Sequence, residues 1–142
     1  MPSQIVYFIS SNHERSLIAE SWASRLSTKD IVFRSGGWSN AKASPYSIEA
    51  MKEISIDITT IKPNILNKKE LEKADLIVVI QDVENDEEII FSSGFSDKLL
   101  LWDIINPEKR STDYDEKWLM FQEICDDIAL RVQDLGENYT SL

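Results

Sequence analysis

Cysteine and histidine are nearly absent from this chain of 142 residues, which contains one of each, Cys125 and His13. A single cysteine excludes an internal disulfide, and one cysteine with one histidine provides no recognisable set of zinc ligands. We therefore expect no metal and no cofactor. The four glycines and four prolines are scattered and leave no place for a flexible linker, so we expect one domain over residues 1–142.

Long apolar runs and an excess of positive charge are also missing. The longest apolar stretches, such as "ADLIVVI" at 74–80, are too short to cross a bilayer, and the N-terminus lacks the pattern of a secretion signal. The chain has 15 basic and 25 acidic residues, whereas a nucleic-acid-binding protein needs clustered lysine and arginine to neutralise phosphates. We expect a cytoplasmic protein that binds neither nucleic acid nor membranes.

Strand patterns and helix patterns alternate along the chain. Short β-branched or apolar runs predict strands at 4–9, 30–35, 75–80 and 99–104. Apolar residues at helical spacing predict helices at 15–26, 46–54, 67–74 and 113–134. This alternation predicts a single-domain α/β fold, a doubly wound four-stranded parallel sheet with helices on both faces. Cys125 lies on the apolar stripe of the last helix, which predicts a buried structural thiol.

The loop after the first strand is the favoured ligand site in such a sheet, because ligands bind beyond the carboxyl ends of parallel strands. Backbone N–H groups at the start of a helix attract an oxyanion, and Arg15 adds a bidentate fork for phosphate-like oxygens. The residues of this candidate anion loop are Ile9, Ser10, Ser11, Asn12, His13, Glu14, Arg15 and Ser16.

The segment "SSNHERSLIAESW" at 10–22 resembles the anion loop and first helix of the low-molecular-weight protein tyrosine phosphatases and the related thioredoxin-coupled arsenate reductases. Their pattern is C-x-G-N-x-x-R-S, and this chain keeps Asn12, Arg15 and Ser16 in that register. The resemblance continues through most of the chain. It implies the fold of that family and, for an intact member, phosphatase or arsenate reductase activity.

Several catalytic groups of the family are replaced in this register. The nucleophilic cysteine falls on Ile9, and both family reactions begin with attack by a cysteine thiolate. The two redox cysteines of the arsenate reductases fall on Gln81 and near Glu88. The general-acid aspartate before a proline falls on Ile105 and Asn106. No base is identifiable that would activate Ser10 or Ser11.

The role of Arg15 is open at this point. Glu14 places a carboxylate beside the expected oxyanion unless it points into solvent, and Ile9 would fill the pocket floor with apolar volume. Arg15 is then either a structural residue, paired with Glu14, Glu20 or another carboxylate, or part of a retained anion site.

Two functional hypotheses follow, and whether the protein is an enzyme stays open between them. One is a catalytically inactive relative that acts as a binding or regulatory protein. Its rim would contact a basic protein partner unless the aromatic residues only pack over it. The rim consists of His13, Glu14, Trp38, Tyr46 and the acidic loop 82–88. The other hypothesis is a phosphate or arsenate binder, or an enzyme with unrecognised chemistry in which His13 acts as acid or base rather than being merely solvated.

Overall fold

A single parallel sheet organises the protein. The structure, a computed structural model, describes residues 4–11, 13–26, 30–38, 45–53, 55, 57–60, 67–89, 91 and 93–140, apart from the side chains of residues 46, 47, 60 and 138–140. The strands are β1 (Gln4–Ser10), β2 (Ile31–Gly37), β3 (Leu76–Gln81) and β4 (Leu99–Asp103). They are parallel and lie in the order β2-β1-β3-β4. The predicted sheet is confirmed.

Helices cover both faces of this sheet. The described helices are α1 (Arg15–Ala23), α2 (Pro45–Lys52), α3 (Lys68–Lys73), α4 (Pro107–Arg110) and α5 (Tyr114–Thr140), with short 3-10 helices at Ile58–Thr60 and Ser93–Lys98. Because side chains alternate along a strand, Val6 and Phe8 of β1 face the core formed with α1, α2 and α5. Ile9 faces the opposite core, where Leu71 of α3 and Phe95 pack. The predicted two-sided arrangement is therefore confirmed.

The long helix α5 contributes a continuous apolar stripe to the larger core. Phe121, Ile128 and Val132 are buried at helical spacing, as predicted. Cys125 lies on the same stripe, 3% exposed, with its Sγ 3.2 Å from the Sδ of Met51. Burial, together with the nearby charges of Asp126 and Glu14, raises the pKa of the Cys125 thiol to about 12. The prediction of a structural thiol is confirmed, since such a group stays protonated at neutral pH.

The end of β2 differs from the prediction, because the strand predicted at 30–35 continues through Gly36 and Gly37. Both residues continue the strand, paired with Ile9 and Ser10 of β1. A Cβ atom on Gly37 would lie 2.6 Å from the backbone N of His13. Glycine is needed at Gly37 because the loop after β1 passes directly over the strand. β2 therefore supports the candidate anion loop from below.

The other boundaries differ mainly at helix ends. The helix predicted at 15–26 ends at Ala23, and the helix predicted at 113–134 continues to Thr140. The short helix α4 was not predicted. No helix among the described parts of the chain is both long enough and apolar enough to span a membrane.

Candidate functional site

Three connections meet at the carboxyl ends of β1, β3 and β4. Arg15, which follows the loop after β1, donates from Nη1 to the carbonyl O of Ile104 at 2.9 Å. The backbone N of Asn106 donates to Oδ2 of Asp82, in the loop after β3, at 2.9 Å. The candidate site therefore lies at the sheet edge where ligands of parallel sheets bind.

Arg15 is the centre of this site, and its side chain is buried. The residue is 1% exposed, and its Nη2 donates to Asp86 Oδ2 at 2.7 Å and to Ser11 Oγ at 3.1 Å. Of the partners considered from the sequence, the structure has the third, another carboxylate. That carboxylate is Asp86, which comes from the loop after β3 and closes over the guanidinium.

The Asp86 carboxylate is enclosed by hydrogen-bond donors, and its side chain is 0% exposed. Besides Arg15, Oδ2 accepts from the backbone N of Asp82 at 2.8 Å. Its Oδ1 accepts from Asn106 Nδ2 at 2.8 Å and from Ser11 Oγ at 3.3 Å, with Lys109 Nζ at 3.7 Å. Burial acts to raise the pKa of Asp86, but the Asn106 hydrogen bond and the Arg15 charge outweigh it and hold the pKa below its ordinary value.

A second buried carboxylate fixes the start of the same loop. Asp82 is 0% exposed and receives two hydrogen bonds from Arg110 of α4, each 2.9 Å long, in the bidentate geometry typical of arginine and carboxylate. Burial acts to raise the pKa of Asp82, yet the hydrogen bonds from Arg110 and Asn106 N hold it far below its ordinary value. The loop after β3 is thus anchored at two ionised positions.

The hydroxyls of Ser10 and Ser16 form a short chain beneath Arg15. Ser16 Oγ donates its one proton to the carbonyl O of Gly36 at 3.0 Å. In the 2.7 Å contact between the two hydroxyls, Ser10 is therefore the donor. Ser10 Oγ also accepts from the backbone N of Ser16 at 3.0 Å. The chain ends on a carbonyl rather than on a base, which leaves Ser10 unactivated as a nucleophile.

His13 and Glu14, two residues of the predicted rim, are buried. His13 is 3% exposed and has a φ of 58°, and its Nε2 lies 2.8 Å from Ser35 Oγ. Burial lowers the pKa of His13 to about 4, so the ring is neutral at pH 7. Glu14 is 1% exposed. Of the alternatives considered from the sequence, a merely solvated His13 and a Glu14 that points into solvent do not hold, and His13 passes directly over Gly37 of β2.

The remaining rim residues differ in their exposure. Trp38 packs against the core that contains Ile9. This agrees with the alternative in which the aromatic residues pack over the rim instead of contacting a partner. The Tyr46 side chain and Asn12 lie outside the described residues. In the loop after β3, the exposed side chains belong to Val83, Glu84, Asn85, Glu87 and Glu88.

Comparison with known proteins agrees with this arrangement of strands and loops. The sequence profile described as low molecular weight phosphotyrosine protein phosphatase matches residues 4–140. The chain belongs to this phosphatase family. It is 28% identical over 138 residues to an arsenate reductase of Halalkalibacterium halodurans, with 96% of this chain and 98% of the relative covered. It is 30% identical over 138 residues to arsenate reductase 1 of Staphylococcus haemolyticus, with the same coverage.

Solved structures show the same fold. An arsenate reductase in the phosphate binding state has a TM-score of 0.77 at 20% identity, with 95% of this chain and 98% of that chain covered. An arginine phosphatase from Geobacillus stearothermophilus has a TM-score of 0.78 at 16% identity, with 99% and 94% covered. The predicted fold and family are confirmed.

The positions that the resemblance assigns to catalytic groups of the phosphatase family lie in β1, at the end of β3 and in the loop after it, and just before α4. Ile9 is 0% exposed in β1, so its side chain is apolar core, and its assignment to the nucleophile position stays a prediction. Ile105 is partly buried, and Asn106 is 2% exposed and caps α4 by accepting from Glu108 N at 3.2 Å. Gln81 is the last residue of β3, and its Nε2 donates to Glu87 O at 3.3 Å.

Sequence reasoning missed the three ionic residues that close the site, Asp82, Asp86 and Arg110. They lie within charged local sequence, and their partners are distant in the chain. Among the residues that the structure describes, no cluster of three or more histidine, cysteine, aspartate or glutamate side chains could hold a metal ion.

A double-mutant cycle tests the buried pair. Arg15→Met and Asp86→Ala are each expected to lower the free energy of unfolding by about 3–5 kcal/mol, because each leaves one buried charge without its partner. The double variant should lose clearly less than the sum. Urea unfolding measures all four proteins.

The matched control for this cycle is Arg131 and Asp127 on α5, an arginine–aspartate pair of nearly the same length, 2.8 Å, but 37% and 46% exposed. Arg131→Met and Asp127→Ala should show a coupling below about 1 kcal/mol. Additive losses at Arg15 and Asp86 would contradict a buried ion pair.

The buried His13 predicts a specific pH dependence. Because its pKa is about 4 in the folded protein and about 6.5 when unfolded, the unfolded chain binds more protons between these values. Stability should therefore fall as the pH is lowered from 6.5 to 4, by at most about 3 kcal/mol from this residue. His13→Asn, which tolerates the positive φ, should lack this component. Urea-unfolding midpoints of the wild type and His13→Asn, measured between pH 4 and 6.5, test this difference. If the midpoints of both proteins fall equally with pH, His13 is not buried.

Proposed function

We propose that this chain is a member of the phosphatase and arsenate reductase family that lacks the family's thiolate chemistry and acts as a binding or regulatory protein. The observation that supports it best is the Asp86 carboxylate on Arg15 at 2.7 Å, where a family enzyme would need room for its oxyanion. The lone thiol, Cys125, is buried on α5 with its pKa raised to about 12. Neither an attacking thiolate nor a vacant arginine is then available for turnover.

A cytoplasmic location and a contact with a basic protein partner belong to the same proposal. Because His13 and Glu14 are buried, the contact surface is reduced to the exposed acids of the loop after β3, Glu84, Glu87 and Glu88. Three carboxylates within five residues provide a field that suits lysine- or arginine-rich segments.

A second candidate function is binding of an oxyanion without turnover. The observation that favours it is the convergence of Arg15, Ser11 and Asn106 on one buried anionic group, within 2.7–3.3 Å of its oxygens. In the structure that group is the protein's own carboxylate. The donors are nevertheless those that an external phosphate or arsenate would require.

Turnover assays test the loss of chemistry. Release of phosphate from p-nitrophenyl phosphate, and arsenate reduction coupled to thioredoxin, should not exceed the rate without protein. Arg15→Met and Cys125→Ser should give the same values as the wild-type chain. Hydrolysis or reduction by the wild type that Arg15→Met abolishes would refute the proposal, and an active family enzyme assayed in parallel shows that the assays work.

Charge reversal tests the partner surface. Replacing Glu84, Glu87 and Glu88 with lysine should abolish salt-sensitive binding of a lysine-rich peptide, with at least tenfold weaker affinity expected from the reversed field. The matched control reverses three other exposed acids, Asp97, Glu123 and Asp126. Equal weakening by both sets in a fluorescence-anisotropy titration would reduce the binding to net charge alone and argue against a dedicated surface.

A further inference from the structure

The surroundings of Asp86 are those of a bound anion rather than of an ordinary surface ion pair. Its oxygens contact a guanidinium, a hydroxyl, a side-chain amide and a backbone N–H, and an ammonium group lies 3.7 Å away. These donors come from three separate connections of the sheet. Donor sets that converge from several elements on one buried negative group are typical of oxyanion sites.

The segment that supplies this carboxylate reaches the donors around Arg15 through Asp86, and beside it Gln81 Nε2 donates to Glu87 O at 3.3 Å. The neighbours of Asp86, Glu84, Asn85, Glu87 and Glu88, are exposed. The other strong anchor of the loop, Asp82, binds Arg110 rather than Arg15. Removing the Asp86 carboxylate would therefore vacate the donors around Arg15 while the start of the loop stays attached to α4.

We propose that Asp86 is an intramolecular competitor: its carboxylate occupies the donors around Arg15 and keeps them closed to external phosphate-like oxyanions. Binding of an external oxyanion and docking of Asp86 are mutually exclusive, because both require Arg15 Nη2 and Asn106 Nδ2. An oxyanion that reaches Arg15 therefore releases the acidic loop, and a docked loop excludes the oxyanion. The inference rests on the oxyanion-binding form of the proposed function and makes that binding conditional on the loop.

The experiment measures phosphate and arsenate binding by isothermal titration calorimetry in three proteins. Asp86→Ala removes the carboxylate, and Glu87→Ala is the matched control, because it removes one exposed carboxylate from the same loop. The third protein, Asp86→Ala with Arg15→Met, lacks the guanidinium. Near-ultraviolet circular dichroism confirms that each is folded.

Asp86→Ala should bind phosphate at least about tenfold more tightly than the wild type, since it removes a competing negative charge from the site. Glu87→Ala should match the wild type, and the double variant should lose the gain. Formate is a free carboxylate like the one that Asp86→Ala removes, so it should compete with phosphate for the site in this variant. Equal phosphate affinity in the wild type and Asp86→Ala, or a gain that survives loss of Arg15, would overturn the proposal.

If Asp86→Ala does not fold, Asp86→Asn takes its place, and hydrogen exchange of the wild type provides a second measurement. The backbone N–H of Asp82 donates to Asp86, so saturating phosphate should speed exchange at Asp82 by releasing that carboxylate. Unchanged or slower exchange at Asp82 would overturn the proposal. Turnover is recorded in the same samples. Wild-type catalysis would refute the proposed function without touching the competition. Absent catalysis with measurable phosphate binding that Asp86→Ala leaves unchanged would refute only the competition, and no phosphate binding in either protein would refute the oxyanion-binding function as well.

Discussion

The fold of the site depends on one buried ion pair, between Arg15 at the start of α1 and Asp86 in the loop after β3. Neither charge can be buried alone without a large desolvation penalty, so each requires the other in place. The pair also recruits the carbonyl of Ile104 and the amide of Asn106. Three connections that are distant in sequence are thereby fixed to one another at the edge of the sheet. Asp82 with Arg110 adds a second ionic contact that orients the same loop.

Under the proposed function, this arrangement gives the family fold a different internal chemistry. A family enzyme has to keep an arginine available and a thiolate beside it, which costs stability because charged groups are held apart from any partner. Here the arginine is neutralised from within, the histidine of the loop is buried, and Ser10 Oγ donates to Ser16 Oγ, which donates to the carbonyl O of Gly36. These contacts pair the polar groups of the loop with other groups of the protein. Such a closed site is compatible with a binding protein in which the loop after β3 is docked when no oxyanion is bound at Arg15 and released when one is bound.

The elements of the fold could be read from the sequence because their signals are local. β1 and β3 are short apolar runs, and α5 has an unbroken stripe, so their predicted bounds fall within a residue or two of the observed ones at most ends. Asp86 could not be identified in this way. Five acids crowd residues 82–88, and nothing local distinguishes Asp82 and Asp86, which are buried, from their exposed neighbours. Their partners lie 28 and 71 residues away along the chain. The burial of His13 could not be read from the local sequence either, since it lies over Gly37 in another strand.

The most direct test of this account is a carbon-detected NMR titration of the Asp86 side-chain carboxyl, in the wild type and in Arg15→Met. The account predicts a wild-type pKa for Asp86 below its ordinary value, which rises in Arg15→Met because the cation that stabilises the carboxylate is gone. An Asp86 that titrates at its ordinary value and does not respond to loss of Arg15 would show that the carboxylate is in solvent, and the closed site described here would be wrong.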